Sequence, residues 1–424
     1  MDIVSRGCAE ALRWVVYGDA LAQAVLCVAL LGLLRDALAV RYRRGPEGAA
    51  GVFPAVSILK PVHGGEPLAE AAFRAYCLLD YPAPYEVIFA LEDEAQPLYP
   101  LVQALAAEFP ARVRCVLSGP PRDAGVNGKS HNLAAAARLA TYDWLLISDS
   151  DTLPDAFVLR RFAAALADAR VAAVSATPRV SAARGLPARL ERLLVNAVLA
   201  PFEYAAAALH APHGLWGTLL LVRRDAVVAA GGFVALGRHL AEDIALEKAL
   251  RQRGLRTAHV CRPIDVACAD LTLGDLLRHW QRWLVGLRTM KPLTYACMAL
   301  ILLGWLLPVA ALASLWLLPG ATGERGVALA VFTGASATSL FVVGRAAIGV
   351  REPPTSYLLL PAAIVVLLAA FVLSACDRRV EWRGRRLRVG RDGRICADAC
   401  APPAASPVRP RRFRRWRRPA AGRR

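Results

Sequence analysis

The sequence predicts an α/β domain on a doubly wound, mostly parallel sheet, flanked by transmembrane helices. Short apolar strands alternate with Ala- and Leu-rich helical stretches, and two of those strands end abruptly in carboxylates. The chain of 424 residues is 56% hydrophobic, and its mean hydropathy is +0.38. That hydropathy is high for a soluble protein and favours a membrane protein.

The predicted sheet begins with four strands separated by three helices. The strands are AVSILKP (Ala55–Pro61), YEVIFALED (Tyr85–Asp93), VRCVLSG (Val113–Gly119) and WLLISDSD (Trp144–Asp151), and the helices lie near 66–79, 96–108 and 130–140. This βαβ alternation is typical of a parallel sheet, which binds ligands at the carboxyl ends of its strands.

Four apolar runs are candidates to cross a membrane: Val15–Leu34, Leu293–Leu318, Val327–Val343 and Tyr357–Ala375. Arg41-Tyr42-Arg43-Arg44 follows the first run and favours an uncleaved anchor, with a cleaved signal peptide as the alternative. We therefore predict a multi-pass protein of the cell (inner) membrane. Its parts are an N-terminal transmembrane anchor (1–40), a cytoplasmic domain (41–290), C-terminal transmembrane helices (291–376) and a basic, Arg-rich tail (377–424).

The formal net charge of +18 is concentrated near the C-terminus, where residues 376–424 hold 17 Arg and 4 acidic residues. Arginines should keep this tail inside, whereas three crossings after a cytoplasmic domain would place it outside. One run is therefore expected to be interfacial or re-entrant, and Pro308 makes the second a candidate. The segment Arg409–Pro419 suits anionic lipid headgroups, with a disordered solvated tail as an equal alternative. Because the charge is local to this tail, we expect no nucleic-acid partner.

Two of the predicted strands end in acidic residues, Glu92-Asp93 on the second and Asp149-Ser150-Asp151 on the fourth. In a parallel sheet these ends open onto one crevice, so the carboxylates can face one ligand. Asp149 and Asp151 offer hard oxygen ligands to a divalent cation, Mg²⁺ or Mn²⁺, that also binds water and a diphosphate. The alternative is a helix cap and turn before the next helix.

Three later blocks carry further reactive side chains. Lys129 in NGKSHN is either a phosphate contact or a solvated lysine in a Gly-rich turn. Asp243 begins a predicted helix, where it acts as a helix cap or as a general base. In RHWQRW, Arg282 suits a phosphate clamp and Trp283 suits stacking on a ring, with an interfacial belt as the alternative.

The order of these blocks resembles the membrane glycosyltransferases of family 2 and 21 type, most closely the ceramide glucosyltransferase branch. In sequence they read LKPVHGGEP, DYPAPYEVIFALED, GVNGKSHNLAAAA, ISDSDT, HLAEDIALEKALRQRG and HWQRW, followed by membrane helices. The similarity covers about residues 54–295. One departure is His279, which stands where the last motif commonly has Gln or Arg.

The resemblance implies a GT-A-like domain with assigned acidic residues. The residue matching Asp93 contacts the base of the nucleotide, the pair matching Asp149 and Asp151 holds metal and diphosphate, and the residue matching Asp243 is the catalytic base. The implied reaction moves a sugar, with glucose expected, from a UDP-sugar to a hydroxyl of a ceramide-like lipid, with inversion. Two alternatives stay open. One is a hopanoid or other lipid acceptor with UDP-N-acetylglucosamine, and the other is a non-catalytic sugar-nucleotide-binding membrane protein.

Overall fold

The structure is a computed structural model. It describes residues 53–66, 68–121, 123, 125–200, 203, 214–268, 271–299, 302, 354–382 and 385–396. The predicted runs Val15–Leu34 and Val327–Val343 and the tail segment Arg409–Pro419 lie outside these residues.

An eight-stranded sheet forms the centre of the domain. Its strands are β1 Val56–Pro61, β2 Tyr85–Leu91, β3 Val113–Leu117, β4 Trp144–Ser148, β5 Thr152–Leu153, β6 Val171–Ala183, β7 Leu219–Arg223 and β8 Arg256–Cys268. The spatial order is β3-β2-β1-β4-β7-β6-β8-β5. Strands β1 to β4 pair in parallel, as predicted. The predicted α/β class is therefore confirmed.

The second half of the sheet is mixed, so that four of the seven strand pairings in the whole sheet are parallel and three are antiparallel. Strand β7 runs antiparallel to both β4 and β6, and β5 runs antiparallel to β8, while β6 and β8 are parallel. The regular strand-helix alternation that predicted parallel pairing ends near residue 151. Beyond it, residues 184–218 separate β6 from β7, and the sequence shows no strand-helix alternation there that would predict the direction of β7.

Ten α-helices accompany the sheets in the described residues. They are α1 Ala69–Cys77, α2 Tyr99–Glu108, α3 Gly128–Leu139, α4 Val158–Ala164, α5 Leu186–Leu193, α6 Arg224–Ala229, α7 Gly232–Leu236, α8 Glu242–Gln252, α9 Leu273–Met290 and α10 Leu360–Cys376. Helices α1 to α3 correspond to the three predicted ones. The start of α3 is fixed by Asn127, whose side chain accepts a hydrogen bond from the Ser130 amide at 2.7 Å.

Apolar side chains cover both faces of the sheet. On β1, Ile58 packs into a cluster with Phe73 and Phe89, whereas Leu59 packs on the opposite face with Leu133. Every residue of β1 and β2 is buried. Two-sided burial explains the nearly continuous apolar runs in the sequence, and it leaves the strand ends as the place for polar side chains.

A third apolar cluster joins α5, α9 and α10, with Leu190, Trp280 and Leu367 among its buried members. Within the described residues, one helix, Thr355–Cys376, is long and apolar enough to cross a membrane. It contains the predicted run Tyr357–Ala375, and the Val365 side chain on it is 62% exposed. The run Leu293–Leu318 is described only at residues 293–299 and 302. Membrane crossing therefore stays a prediction.

The first part of the predicted basic tail is folded. Strands β9 Arg379–Trp382, β10 Arg385–Val389 and β11 Ile395–Cys396 form an antiparallel sheet, here called the C-terminal sheet. Val380 and Leu387 pack against Leu240 and Val285 of the domain. The apolar residues alternate with charged residues along β9 and β10, which is the period of a half-buried strand. Because arginine dominates this segment, the sequence analysis predicted a basic tail there and no strands.

Candidate active site

The carboxylates after β4 rest on a buried lysine. Lys60 of β1 is fully buried and donates hydrogen bonds to Ser148 Oγ at 3.1 Å and to the Asp149 carbonyl at 2.6 Å. Burial lowers the pKa of Lys60 to about 7, although Asp151 and Asp149 act to raise it. Lys60 therefore fixes the backbone at the start of the Asp-Ser-Asp segment.

Lys129 brings three sequence blocks together. Its Nζ lies 2.8 Å from Asp149 Oδ1 and 2.9 Å from Glu242 Oε1, and it donates to the Gly217 carbonyl at 3.1 Å. Burial acts to lower the pKa of Lys129, but Asp149 and Glu242 outweigh burial and raise it. With a relative exposure of 7%, Lys129 is not a solvated lysine in a turn.

Asp151 carries an unsatisfied buried oxygen. Its Oδ1 has no hydrogen-bond partner in the described structure, and burial, Glu66 and Asp149 raise its pKa to about 8. No group of three or more His, Cys, Asp or Glu suited to a metal occurs among the described residues. Two neighbouring carboxylates fit a cation such as Mg²⁺, which takes its remaining ligands from water and phosphate.

Asp243 occupies the first turn of α8. Its Oδ2 accepts a hydrogen bond from the Gly217 amide at 3.0 Å, and its Oδ1 accepts one from the Ile244 amide at 2.8 Å. The N-cap residue of α8 is Ala241, so Asp243 is not the helix cap. Burial and Glu242 raise the pKa of Asp243 to about 6, against the effect of Lys129. A carboxylate with a raised pKa suits a general base.

Gly217 permits these close contacts. A Cβ atom at this position would lie 3.0 Å from Lys129 Nζ and 3.1 Å from Asp243 Oδ2. Both distances are shorter than ordinary van der Waals contact. The glycine in GLWGTLLL therefore allows the two charged side chains to approach the backbone closely, and a Cβ here would make both of them shift.

Arg282 and Trp283 lie on α9 in different surroundings. Arg282 stacks on the Trp382 ring of the C-terminal sheet at 4.9 Å. Burial acts to raise the pKa of Glu242, but Lys129 and, less strongly, Arg282 lower it overall. Trp283 packs against three rings, those of Trp216, His279 and Trp280. Arg282 therefore contributes charge to the site, whereas Trp283 belongs to an aromatic cluster beside it.

His279 is part of the same aromatic cluster. Its ring centroid lies 4.6 Å from that of Trp283. Burial and Arg282 lower the pKa of His279 to about 3, so the ring is neutral. Its neighbour Trp280 is buried and donates from Nε1 to Glu191 Oε2 at 2.5 Å. The departure from the usual motif therefore places a neutral ring at this position.

Asp93 is exposed just beyond β2, where its Oδ1 accepts a hydrogen bond from the Ala95 amide at 2.9 Å. The preceding Glu92 lines a cavity of about 370 Å³ at the carboxyl ends of β1, β2 and β3. The structure thus brings Asp149, Lys129 and Asp243 together, and Asp93 follows β2, which β1 separates from β4 in the sheet. Its role in contacting the base stays a prediction.

Three residues of the site were missed by the sequence analysis: Lys60, Gly217 and Glu242. Lys60 is a lone charge in the apolar strand AVSILKP, a signal that was available. Glu242 directly precedes Asp243, and because the two acids are adjacent, the sequence did not indicate that Glu242 has a role of its own. No local signal marks Gly217, because its requirement arises from side chains distant in sequence.

Comparison with known proteins identifies relatives of this chain. Glycosyl transferase family 21 matches residues 20–395. The Caenorhabditis elegans ceramide glucosyltransferase 1 is 25% identical over 240 residues, which cover 54% of this chain and 49% of that protein. The Candida albicans ceramide glucosyltransferase is 24% identical over 119 residues, 26% of this chain and 22% of that one. The chain thus spans at most about half the length of these curated relatives.

Among solved structures, the mannosyltransferase PcManGT from Pyrobaculum calidifontis, in complex with GDP-Man and Mn²⁺, matches with a TM-score of 0.49 and 22% identity. The match covers 84% of this chain and 99% of that one. Glucosyl-3-phosphoglycerate synthase from Mycobacterium tuberculosis matches with a TM-score of 0.36 and 17% identity, over 55% and 78% of the two chains. Because the family match extends over most of the sequence, the chain belongs to glycosyl transferase family 21.

Proposed function

We propose that the protein transfers a sugar, with glucose expected, from a UDP-sugar to the hydroxyl of a ceramide-like membrane lipid, with inversion at the anomeric carbon. One observation carries the proposal: Lys129 joins Asp149 at the end of β4 to Glu242, the neighbour of Asp243, at the start of α8. Two acidic motifs distant in sequence thus form one site. The ceramide glucosyltransferases among the relatives support a lipid acceptor.

On the donor side, Asp149 and Asp151 would hold Mg²⁺ or Mn²⁺. A divalent cation bound there neutralises negative charge on the departing diphosphate. Lys129 and Arg282 add positive charge suited to phosphate oxygens. Asp93 is proposed to contact the base, and Trp283 stays a candidate for stacking on a ring of the donor.

On the acceptor side, Asp243 is the general base. Its carboxylate takes the proton of the lipid hydroxyl, and the hydroxyl oxygen forms a bond to the anomeric carbon. The bond from that carbon to the phosphate oxygen breaks on the opposite face, and UDP leaves with the electron pair. The Gly217 amide, which donates to Asp243 Oδ2, holds the carboxylate in place for this step.

Membrane attachment follows from such an acceptor. The helix Thr355–Cys376 is a candidate span, and the domain is proposed to lie on the cytoplasmic side of the inner membrane. The Ala-rich stretch at 195–209, only partly within the described residues, is proposed as the lipid entrance. A crevice open at the membrane surface lets the lipid react without leaving the bilayer.

The proposal is tested with detergent-solubilised protein, Mg²⁺ or Mn²⁺, a panel of UDP-sugars and a panel of ceramide, diacylglycerol and hopanoid polyols. Glycolipid formation is compared in wild type, Asp243→Asn, Asp149→Asn and Asp225→Asn. Asp225 is exposed on α6, pairs with Arg223 and serves as the matched control. Loss of the general base is expected to lower turnover by at least about 100-fold.

The outcomes separate the parts of the proposal. A glycolipid of inverted anomeric configuration that disappears in the first two variants and persists in Asp225→Asn supports the whole reaction. UDP-sugar hydrolysis without any glycolipid contradicts the lipid acceptor. Absence of nucleotide binding in the wild type contradicts the transferase.

A further inference from the structure

A cavity of about 370 Å³ is lined by residues of both the domain and the C-terminal sheet. One side is formed by residues that follow β1, β2 and β3, including His63 and Glu92. The other side is formed by Trp382, Arg385 and Leu387 of the C-terminal sheet. The cavity volume lies within the range of about 300 to 1,000 Å³ that is common for small-molecule sites.

The position of the cavity links it to the carboxylates of the active site. In the sheet, β1 lies between β2 and β4, and Asp149 directly follows β4. The cavity therefore opens at the same sheet edge as Asp149, beside the proposed diphosphate site.

The lining suits a nucleoside diphosphate. A guanidinium group such as that of Arg385 binds phosphate oxygens with two donors in a fixed geometry. The Trp382 indole, whose ring also contacts Arg282 at 4.9 Å, is an aromatic group suited to a nucleobase, and Glu92 offers acceptors for the N–H or O–H groups of a nucleoside. Positive charge, an aromatic face and a carboxylate thus line one volume.

The C-terminal sheet is firmly attached to the domain. The Ile395 amide donates to the Arg238 carbonyl at 2.7 Å, and the Leu240 amide donates to the Gly393 carbonyl at 2.9 Å. These bonds lie just before Glu242 and Asp243 in sequence. The sheet is therefore joined to the chain segment that carries the proposed base.

From these contacts we infer that the C-terminal sheet forms one wall of the donor pocket, in which Arg385 and Trp382 contact the nucleoside diphosphate. The inference deepens the proposed function and rests on it. It makes β9 and β10, which follow the candidate membrane helix in sequence, part of the nucleotide-binding site.

The test uses the full chain in detergent with Mg²⁺ or Mn²⁺ and UDP as the probe. Binding is measured by calorimetry for wild type, Arg385→Gln and Arg386→Gln. Arg386 neighbours Arg385 on β10 and is exposed, so it controls for the loss of one charge from the same strand. We expect the Kd of UDP to rise by about tenfold or more in Arg385→Gln and by less than about twofold in Arg386→Gln.

A second pair of variants addresses the indole and guards against misfolding. Trp382→Phe keeps an aromatic face, whereas Trp382→Ala removes it, and melting temperatures are compared for both. We expect UDP binding to weaken in Trp382→Ala and to be largely retained in Trp382→Phe. In turnover assays, Arg385→Gln is expected to raise KM for the UDP-sugar without changing KM for the lipid.

The results distinguish this inference from the proposed function. One result is that Arg385→Gln and Trp382→Ala bind UDP as wild type does while Asp149→Asn binds it poorly. That result supports the donor site and contradicts the inference that the C-terminal sheet forms one of its walls. If the wild type binds no UDP, both the proposed donor site and the inference about the C-terminal sheet are contradicted.

Discussion

At the scale of single residues, the chemistry of Asp243 depends on two charged neighbours. Burial and Glu242 raise its pKa to about 6, while Lys129 opposes that rise. Glu242 itself stays ionised, because Lys129 holds its pKa below the usual value despite burial. A base with a pKa near 6 is ionised at neutral pH and still accepts a proton readily.

The first prediction concerns the pH dependence of the reaction. Asp243 acts as a base only when ionised, so kcat/KM is expected to fall as the pH drops below about 6, approaching tenfold per pH unit. Glu242→Gln removes a charge that raises the pKa of Asp243, so the acid limb is expected to move to lower pH. The measurement is a profile of kcat/KM from about pH 5 to pH 8. An acid limb that stays in place or moves upward in Glu242→Gln contradicts this account.

At the scale of elements, the active site is the meeting point of α3, α8 and the segment before β7. Lys129 lies on α3, Asp243 lies on α8, and Gly217 passes between them just before β7. The Gly217 amide donates to Asp243, and its carbonyl accepts from Lys129. The backbone of this segment therefore sets the distance between the two helices' charged groups.

The second prediction tests this spacing with Gly217→Ala. The added methyl group has to displace Lys129 Nζ and the Asp243 carboxylate by a few tenths of an ångström. We expect kcat to fall by about tenfold, since small displacements of catalytic groups are costly. The melting temperature should change little, because both neighbours are ends of side chains.

Gly286→Ala is the matched control for Gly217→Ala. The added Cβ on α9 would lie 3.6 Å from Ala241 Cβ, an ordinary contact. Unchanged kcat is expected for this variant. An equal loss of kcat in both variants would show that the site tolerates no added methyl group anywhere nearby, and unchanged kcat in Gly217→Ala would refute the spacing argument.

At the scale of the whole molecule, the C-terminal sheet restricts the membrane topology. The sheet packs on Leu240 and Val285 of the domain, so the predicted membrane would have to leave both on one side. The number of predicted crossings between Met290 and Asp377 would then be even. Three apolar runs were predicted there, so one of them is expected not to cross, which agrees with the side that the arginines of the tail predict.

The third prediction follows from this topology. In a variant whose only cysteine is Cys396, on the C-terminal sheet, a membrane-impermeant maleimide is expected to label inverted vesicles and not right-side-out ones. A second variant carries Lys248→Cys as its only cysteine, on an exposed position of α8, and reports the side of the domain. Labelling of the two cysteines from opposite sides would contradict the packing of the sheet on the domain.

The sequence by itself determined the local elements, the order of the motifs and the family. Strands β1 to β4 and helices α1 to α3 follow from periodicity and from turns within a few residues, so short-range physics predicts them. The acidic ends of β2 and β4 were visible for the same reason. The resemblance to family 21 is confirmed by the match over residues 20–395.

Only the tertiary structure decided which charges share a site. Lys129 and Gly217 are 88 residues apart, and Lys60 and Asp149 are 89 residues apart, so no local pattern reports their contacts. The same holds for the antiparallel strand β7 and for the C-terminal sheet, whose residues were predicted to belong to a basic, Arg-rich tail. Burial and charge pairing are properties of the folded chain, because each depends on neighbours that the sequence places far away.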